Sequence, residues 1–436
     1  MMTNVAIFVE NGSLEGMDLS NIAYENPGIA ATMYMFFVVG QSLAVKKNSI
    51  DMTIYTTHKM KFADGVKAEL ASSLKEAYHK CCMQNIDYLI IKHSKRFIND
   101  IKQLNSDGHT KFIIWCENFA DFKDLNFYAK CALIARLICV GREQADIYRD
   151  HRAFQKTDWI YNCIDNRLLN IPQDDIVPTS RRKPIVTYIG AIIPGKGFHV
   201  LAKAWPEVVK AVPDAQLYII GSGKLYGGHV ELGRWELAEK NYEDSFMKYL
   251  TKDEKLLPGV HLMGIMGAEK FDILSKTKVG VPNPSGLTET FCNSAVEMQF
   301  MGAIIASRRC TGYMDTVKNG LLIDNPRDLA AAIVNGLNSL EDTYPQTRLA
   351  IEQNFSQNVV IAQWEKLLTE TLPQGKRLNP LLPLVNPNFE MKQWKESLRK
   401  LKERCPWLYT ILPSLGFFTE FWKALKWAIW KRTILK

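Results

Sequence analysis

Residues 279–307 read VGVPNPSGLTETFCNSAVEMQFMGAIIAS, and the order of residue types here decides the architecture. Val279 to Val281 closes an apolar, β-branched run. Pro282, Asn283, Pro284, Ser285 and Gly286 then forbid regular structure, because Pro fixes φ and Gly admits any φ. Cys292 to Met301 favours helix, and Ala303 to Ala306 is a short apolar strand. Strand, loop, helix, strand is the βαβ unit of a parallel sheet. Ligands of such sheets bind outside the carboxyl ends of the strands, where helix N-termini attract anions. Glu289 stands just before the helix and Glu297 two turns into it. Eight residues place them about 80° apart around the axis and roughly 12 Å apart along it. One ligand with phosphates at the helix end could meet both carboxylates, although two solvated helix acids give the same spacing.

Outward from this stretch, strands and helices alternate. Val5 to Val9 is the first expected strand, and an apolar helix is expected from about Thr32 to Val45, after a loop holding Gly28. Strands are expected at Met52–Tyr55, Tyr88–Ile91, Phe112–Trp115 and Leu137–Val140, and a helix over Val66–Gln84. Asn170 to Lys183, with two Pro, three basic residues and two Asp, reads as a linker. A second series follows: strand Ile185–Gly190, a loop with Lys196 between Gly195 and Gly197, and an amphipathic helix Phe198–Val209. Strand Gln216–Ile220 ends in Gly221, and strand Val260–Met263 ends in Gly264. A strand at Leu321–Ile323 and a helix at Leu329–Leu340 close the series. A lysine in a glycine-flanked loop before a helix suits a diphosphate, since the ammonium meets the charge and the helix end adds N–H donors.

The segment around Glu289 resembles the Glu-x7-Glu signature of retaining glycosyltransferases of family 4 (glycosyl transferases group 1). Glu289, Phe291, Glu297 and Gly302 match in order and spacing, with Cys292 where the family has a small residue, usually Gly. The resemblance covers roughly residues 1–370 and implies the GT-B fold, α/β, with two Rossmann-like domains facing across a cleft. It implies an acceptor domain over 1–175 and a nucleotide-sugar domain over 183–355. Residues 356–372 would be a helix crossing back, and 375–436 a tail. By the same resemblance Lys196 meets the leaving diphosphate together with the helix N-terminus near Thr288, Glu289 holds sugar hydroxyls, and Glu297 holds the ribose. Gly190, Gly221 and Gly264 let the nucleotide approach the backbone, Phe291 belongs to the signature, and Gly28 opens a turn toward phosphate or acceptor. Glu117 stands where family members carry a His that contacts the donor sugar, and Ala191 stands where they carry an Arg. The implied donor is a nucleotide-diphosphate hexose, with no cofactor and no metal. The implied acceptor is a glycan or a lipid-linked glycan of cell-surface polysaccharide. The departures at Ala191 and Glu117 keep a second reading open, a non-catalytic, membrane-associated nucleotide-sugar-binding partner in a polysaccharide assembly complex. A nucleotide-sugar epimerase would need a carboxylate and His set that the sequence does not offer.

Composition narrows the class. The chain has 436 residues, 47% hydrophobic and 23% charged, enough for two domains with large cores. Nine cysteines form no CxxC pair and the histidines no HxxxH or HxH, so neither a disulfide framework nor zinc is expected. With no basic, apolar leader and no run near the roughly 20 apolar residues of a spanning helix, a cytoplasmic protein is expected. Gly375 to Lys436 holds 13 Lys and Arg against 4 Glu, more than the whole net charge of +8. The basicity therefore belongs to the tail, which argues against a nucleic-acid role for the body. Phe418, Phe421, Trp422, Leu425 and Ile429 fall on one helical face, with Lys423 and Lys426 off it, and Trp427 and Trp430 follow. Aromatics flanked by lysines suit an anionic membrane surface, making the protein peripheral on the inner face of the membrane. Packing on the body and oligomerisation are the other uses of such a face.

Overall fold

The computed structural model describes residues 2–422 except 47–48, 106–107, 226–230, 288, 382 and 419–420. Contacts divide the chain into two compact units, one of Met1–Ala23, Thr32–Tyr161 and Val360–Lys436, the other of Tyr24–Ala31 and Asn162–Val359.

The first unit holds strands β1 (Thr3–Val9), β2 (Ile50–Thr56), β3 (Lys67–Leu70), β4 (Tyr88–Lys92), β5 (Lys111–Cys116), β6 (Ile134–Cys139) and β7 (Thr157–Trp159). They form one parallel sheet in the order β3-β2-β1-β4-β5-β6-β7. Val5 to Val9 and Phe112 to Cys116 are buried without alternation, as strands covered on both faces must be. The expected helix over Val66–Gln84 is instead β3 followed by a helix at Leu74–Met83. Lys67 to Leu70 is exposed throughout, so this edge strand carries no apolar alternation to announce it. Ser73 then caps the helix, its hydroxyl accepting from the Glu76 N–H.

The second unit holds β8 (Ile185–Ile189), β9 (Gln216–Ile220), a small hairpin of β10 (Thr251–Lys252) and β11 (Lys255–Leu256), then β12 (Val260–Gly264), β13 (Val279–Gly280), β14 (Ile304–Arg308) and β15 (Gly320–Ile323). Its parallel sheet runs β12-β9-β8-β13-β14-β15. Three strands wind one way from β8 and three the other way from β13, the doubly wound order with its switch between those two strands. The stretch 170–183, expected as a linker, is packed onto this unit. Arg182 is buried and donates to the carbonyls of Thr277 and Met301, while the Thr179 hydroxyl donates to Gly302 O at 2.8 Å. Gly28 also belongs to this unit, not to the one that holds most of residues 1–175.

The helix Gln357–Lys366 ends in a π-helical turn, Leu367–Thr371. Its Trp364 packs on Trp115 at 4.6 Å, and Trp115 stacks on Phe36 at 4.5 Å, inside the first unit. Residues 376–379 then run along β7. Arg377 donates to Phe154 O and Thr157 O, and the Asn379 amide donates to Trp159 O.

Helix Lys392–Arg404 docks on the same unit through charge. Lys392, Lys395, Arg399 and Lys402 repeat at intervals of three and four, so they share one helical face, and all four are buried. Opposite them stand Glu143, Asp146 and Asp150, spaced alike. Lys392 Nζ lies 2.7 Å from Glu143 Oε2 and 3.6 Å from Asp146 Oδ2. Arg149 bridges Asp146 at 2.6 Å and Glu396 at 2.7 Å. Lys402 donates to Asp150 O at 2.9 Å, and the Leu415 N–H donates to Asp150 Oδ2 at 2.6 Å. Burial raises the Glu143 carboxyl above its ordinary range although Lys392 opposes the shift. Burial also works to raise Glu396, but hydrogen bonds from Arg399 and Arg149 prevail and bring it down to about 2. The tail's described cations are thus largely spent on its own body. Lys423, Leu425, Lys426, Trp427, Ile429 and Trp430 lie outside the described residues.

Two predictions follow from this packing. Lys392→Ala strands Glu143 as a buried carboxylate and should lower unfolding free energy by roughly 3 kcal/mol or more in urea titration, most of it restored in the double variant Lys392→Met with Glu143→Leu. His151 is held neutral, its Nδ1 accepting from the Ala153 N–H, with burial, and then Lys402, pushing its imidazole down to about 4. An unfolded imidazole titrates near 6.5, so this group's contribution is intact above that pH and is lost as pH falls toward 4, by about 3 kcal/mol in all. His151→Asn keeps an acceptor at that place and should flatten this part of the acid limb of stability against pH.

Candidate functional site

The carboxyl ends of β8 and β13 lie side by side, because the two strands pair through Val186–Val279 and Thr187–Gly280. Each continues into a loop that sequence reasoning marked: 190–197 after β8 and 281–292 after β13. The two loops are tied together. The Ser285 hydroxyl donates to Gly195 O at 2.7 Å. Gly197, at φ 71°, brings its backbone so close to Ser285 that a Cβ would stand 2.6 Å from Ser285 N. Only glycine tolerates both the left-handed conformation and the contact.

That approach carries Lys196 to Glu289. Lys196 Nζ lies 2.8 Å from Glu289 Oε2, with both side chains mostly shielded from solvent. Asn283 Nδ2 donates to the same carboxylate oxygen at 2.6 Å, and Gly312 N–H donates to Glu289 O at 3.1 Å. The Ser307 hydroxyl and Tyr313 OH both donate to Pro282 O and fix the loop from beneath. The carboxylate is therefore positioned from the side chain and from the main chain at once. Glu297, on helix Asn293–Phe300, pairs with Lys270 Nζ at 2.7 Å.

The structure brings Gly190, Lys196, Gly221, Glu289 and Phe291 to this carboxyl edge or its first helix, but their roles differ. Phe291 is buried edge-to-face on Phe355, at 5.3 Å and 88°, and so packs the core of the unit. Gly190 and Gly221 touch backbone to backbone, and a Cβ on Gly221, at φ 138°, would stand 1.9 Å from Gly190 O. Gly264 accepts from Gly221 N–H at 2.7 Å and has open space where a Cβ would lie. Gly28 has open space too, but its N–H donates to Asn26 Oδ1 at 3.0 Å and so serves the turn itself. Glu117 follows β5 in the first unit and is half-buried. Thr288 lies outside the described residues. Cys292 is buried, which pushes its thiol up to about 12 and makes it a small packing residue rather than a nucleophile.

Sequence reading missed Asn283, Lys270 and Arg308. Arg308 ends β14 beside the Ser285–Gly286 turn, with Nη1 3.5 Å from Ser285 O. Asn283 lay in plain view between two prolines, and its adoption of φ 31° is what turns its amide toward Glu289. Ala191, where the resembling family has Arg, is fully buried, and its carbonyl accepts from Tyr188 OH. Among the described residues no group of three or more His, Cys, Asp or Glu could hold a metal ion.

Residues 183–339 match the sequence model of the family described as Glycosyl transferases group 1. No curated protein matches the chain. Among solved structures the chain is similar to Anabaena Alr3699/HepE in complex with UDP and glucose, at 13% identity and TM-score 0.57, over 84% of this chain and 99% of that one. It is also similar to the lipopolysaccharide outer core galactosyltransferase WaaB, at 12% identity and TM-score 0.55, over 84% and 98%. AviGT4, a glycosyltransferase involved in avilamycin A biosynthesis, aligns at 11% identity and TM-score 0.54, over 85% and 98%. At these identities the likeness shows the fold, which is GT-B: two parallel-sheet α/β domains with a helical C-terminal tail.

The glycine pair tests the frame of the site. Gly221→Ala must push Gly190 aside and adopt a strained φ, and should cost about 3 kcal/mol in urea unfolding. Gly264→Ala meets no atom and should cost less, chiefly its φ of 67°.

Proposed function

We propose that this chain is a retaining glycosyltransferase of the group 1, family 4 kind, moving a hexose from a nucleotide-diphosphate sugar to a glycan or lipid-linked acceptor in cell-surface polysaccharide synthesis. The observation that carries the reading is the Lys196–Glu289 pair, 2.8 Å apart at the switch between β8 and β13. Doubly wound sheets bind nucleotides at that switch. Lys196 meets the leaving diphosphate, and helix Asn293–Phe300 presents its N-terminus on the same edge. The charge that develops as the glycosidic bond to phosphate lengthens is met by these groups, and no metal is required. Glu289, held by Asn283, orients sugar hydroxyls, and Glu297, held by Lys270, takes the ribose. Gly190, Gly221 and Gly264 admit the nucleotide. The acceptor attacks from the departing phosphate's own side, so the anomeric configuration is kept. That HepE was crystallised with UDP and glucose, and that WaaB is a galactosyltransferase, supports a UDP-hexose as the first donor to try. The protein acts on the cytoplasmic side, at the membrane when the acceptor is lipid-linked.

One observation favours the second reading, a nucleotide-sugar-binding partner without catalysis: buried Ala191 removes one of the cations that the resembling family sets on the diphosphate. A single experiment separates the two. Nucleotide sugars are screened by thermal shift, and donor turnover is then followed with the best binder. Glu289→Gln keeps the shape and the Asn283 contact but loses the charge. It should cut turnover by roughly a hundredfold while still showing a ligand-induced shift. Equal, negligible turnover by wild type and Glu289→Gln means the binding-partner reading is right. Chelation with EDTA should leave wild-type turnover unchanged.

A further inference from the structure

The tail helix buries four cations on its inner face and leaves Trp394 and Leu401 on the outer one, beside the exposed Lys400, Glu403 and Arg404. Lys392, Lys395, Arg399 and Lys402 are buried against Glu143, Asp146 and Asp150, whereas Trp394 is 73% exposed and Leu401 is exposed beside it. After the helix, Cys405 to Phe418 contains no charged residue at all. In water such a stretch should fold inward, yet Trp407 is 62% exposed, Ile411 65% and Trp422 59%, with Phe417, Phe418 and Phe421 exposed as well. The band is not loose. Phe417 packs on Phe122 at 4.9 Å, and Asp150 pins the Leu415 amide.

What borders the band is basic. Lys400 and Arg404 are exposed on the tail helix. On the body, the groove beside Ile411 and Tyr409 is also lined by Lys130 and Arg152, both exposed. Glu396 pairs with Arg399 and, at 3.8 Å, with Lys400, and Glu403 pairs with Arg399, so the charge of this rim rests on Arg404, Lys130 and Arg152. The sequence that follows, residues 423–436, carries five more Lys and Arg, no acid and two Trp. Among the described residues no helix is long and apolar enough to cross a membrane. A rigid apolar band rich in Trp and Phe, edged by cations on both the tail and the body, fits a surface that is apolar below and negatively charged above.

We propose that the outer face of residues 394–418 with Phe421 and Trp422, together with the Lys130–Arg152 rim, is a membrane-docking surface whose occupant is an anionic lipid bilayer, with Trp407, Ile411, Phe418 and Trp422 entering the headgroup–acyl boundary. This rests on the membrane-side, lipid-linked-acceptor part of the proposed function and names the surface that serves it. The inward lysines do not bind lipid. They hold the band rigid against the domain, so that docking fixes how this domain faces the membrane.

Removing the whole tail would expose the Glu143–Asp146–Asp150 face, so point variants of the full chain are the sound test. Wild type, the double variant Trp407→Ala with Ile411→Ala, and Phe418→Ser are co-sedimented with vesicles of phosphatidylglycerol or of phosphatidylcholine. Wild type should pellet with phosphatidylglycerol, less as salt rises, and weakly with phosphatidylcholine. Both variants should bind phosphatidylglycerol roughly tenfold more weakly or worse, with unfolding midpoints unchanged. The proposal is overturned if wild type stays in the supernatant or if the variants pellet as it does. It is equally overturned if light scattering shows a dimer that the variants abolish, since a second copy then covers the band. A fall in the variants' unfolding midpoint overturns it too, since the band is then packed by the chain itself. The thermal shift with nucleotide sugars is read on the same samples. A retained shift without vesicle binding sinks the docking surface and leaves the glycosyltransferase reading standing, whereas vesicle binding without any shift does the reverse.

Discussion

Two parallel strands meeting at the point where their sheet reverses direction is the constraint on which the second domain depends. β8 and β13 are hydrogen-bonded neighbours, yet the chain leaves β8 toward β9 and leaves β13 toward β14. The loops after them therefore start side by side at the carboxyl edge and close on each other. The small residues between them follow from that closeness. Ser285 can close on Gly197 and Gly190 on Gly221 because neither glycine has a Cβ in the way. With the loops pinned in this way, Lys196 and Glu289, 93 residues apart in sequence, come within 2.8 Å of each other.

The first domain is finished by electrostatics rather than by apolar packing. An acidic face that begins on the helix after β6 would be costly to bury alone, and so would a helix face of three lysines and an arginine. Each makes the burial of the other affordable. Such complementarity gives register as well as attachment: Lys392 on the Glu143 carboxylate and Lys402 on the Asp150 carbonyl span the helix, and a one-turn slip would strand a buried cation at each end. The cost is that the apolar side of the same helix is committed to face away from the domain.

The sequence exposed much of this because parallel strands, buried on both faces, write themselves as apolar runs. Ile185–Ile189, Gln216–Ile220 and Phe112–Cys116 lie where apolar runs between polar loops place them. β3 was invisible for the converse reason: Lys67-Ala68-Glu69-Leu70 is a solvent-exposed edge whose only structural content is its ladder to β2. Helix Lys240–Met247 and the β10–β11 hairpin were missed as short, polar elements with no stripe to detect. At the candidate site, the motif reading located Lys196 and Glu289 separately, but nothing local says that they touch. That depends on Ser285 and Gly197, a contact between segments 88 residues apart. The tail misled in another way. Its basicity read as suited to an anionic surface because the partners at 143, 146 and 150 lie some 250 residues upstream, and only the matched three-and-four spacing of the two sets points to pairing.

The replacement of an arginine by Ala191 has a physical reason that composition could not give. Position 191 points into the domain, is fully buried, and lies where Tyr188 reaches back to its carbonyl. A guanidinium there would need a route to the carboxyl edge that this packing closes. For the diphosphate proposed above, a second cation would come from a neighbouring strand end. Two positions qualify by placement: Lys224, exposed just beyond β9, and Arg308, at the end of β14 against the Ser285–Gly286 turn. Arg308 is the better placed, because the turn it contacts is the one that closes on Gly197 and so moves with Lys196. A charge at that point would also steady the loop that presents Glu289, joining the binding of an anion to the positioning of the carboxylate.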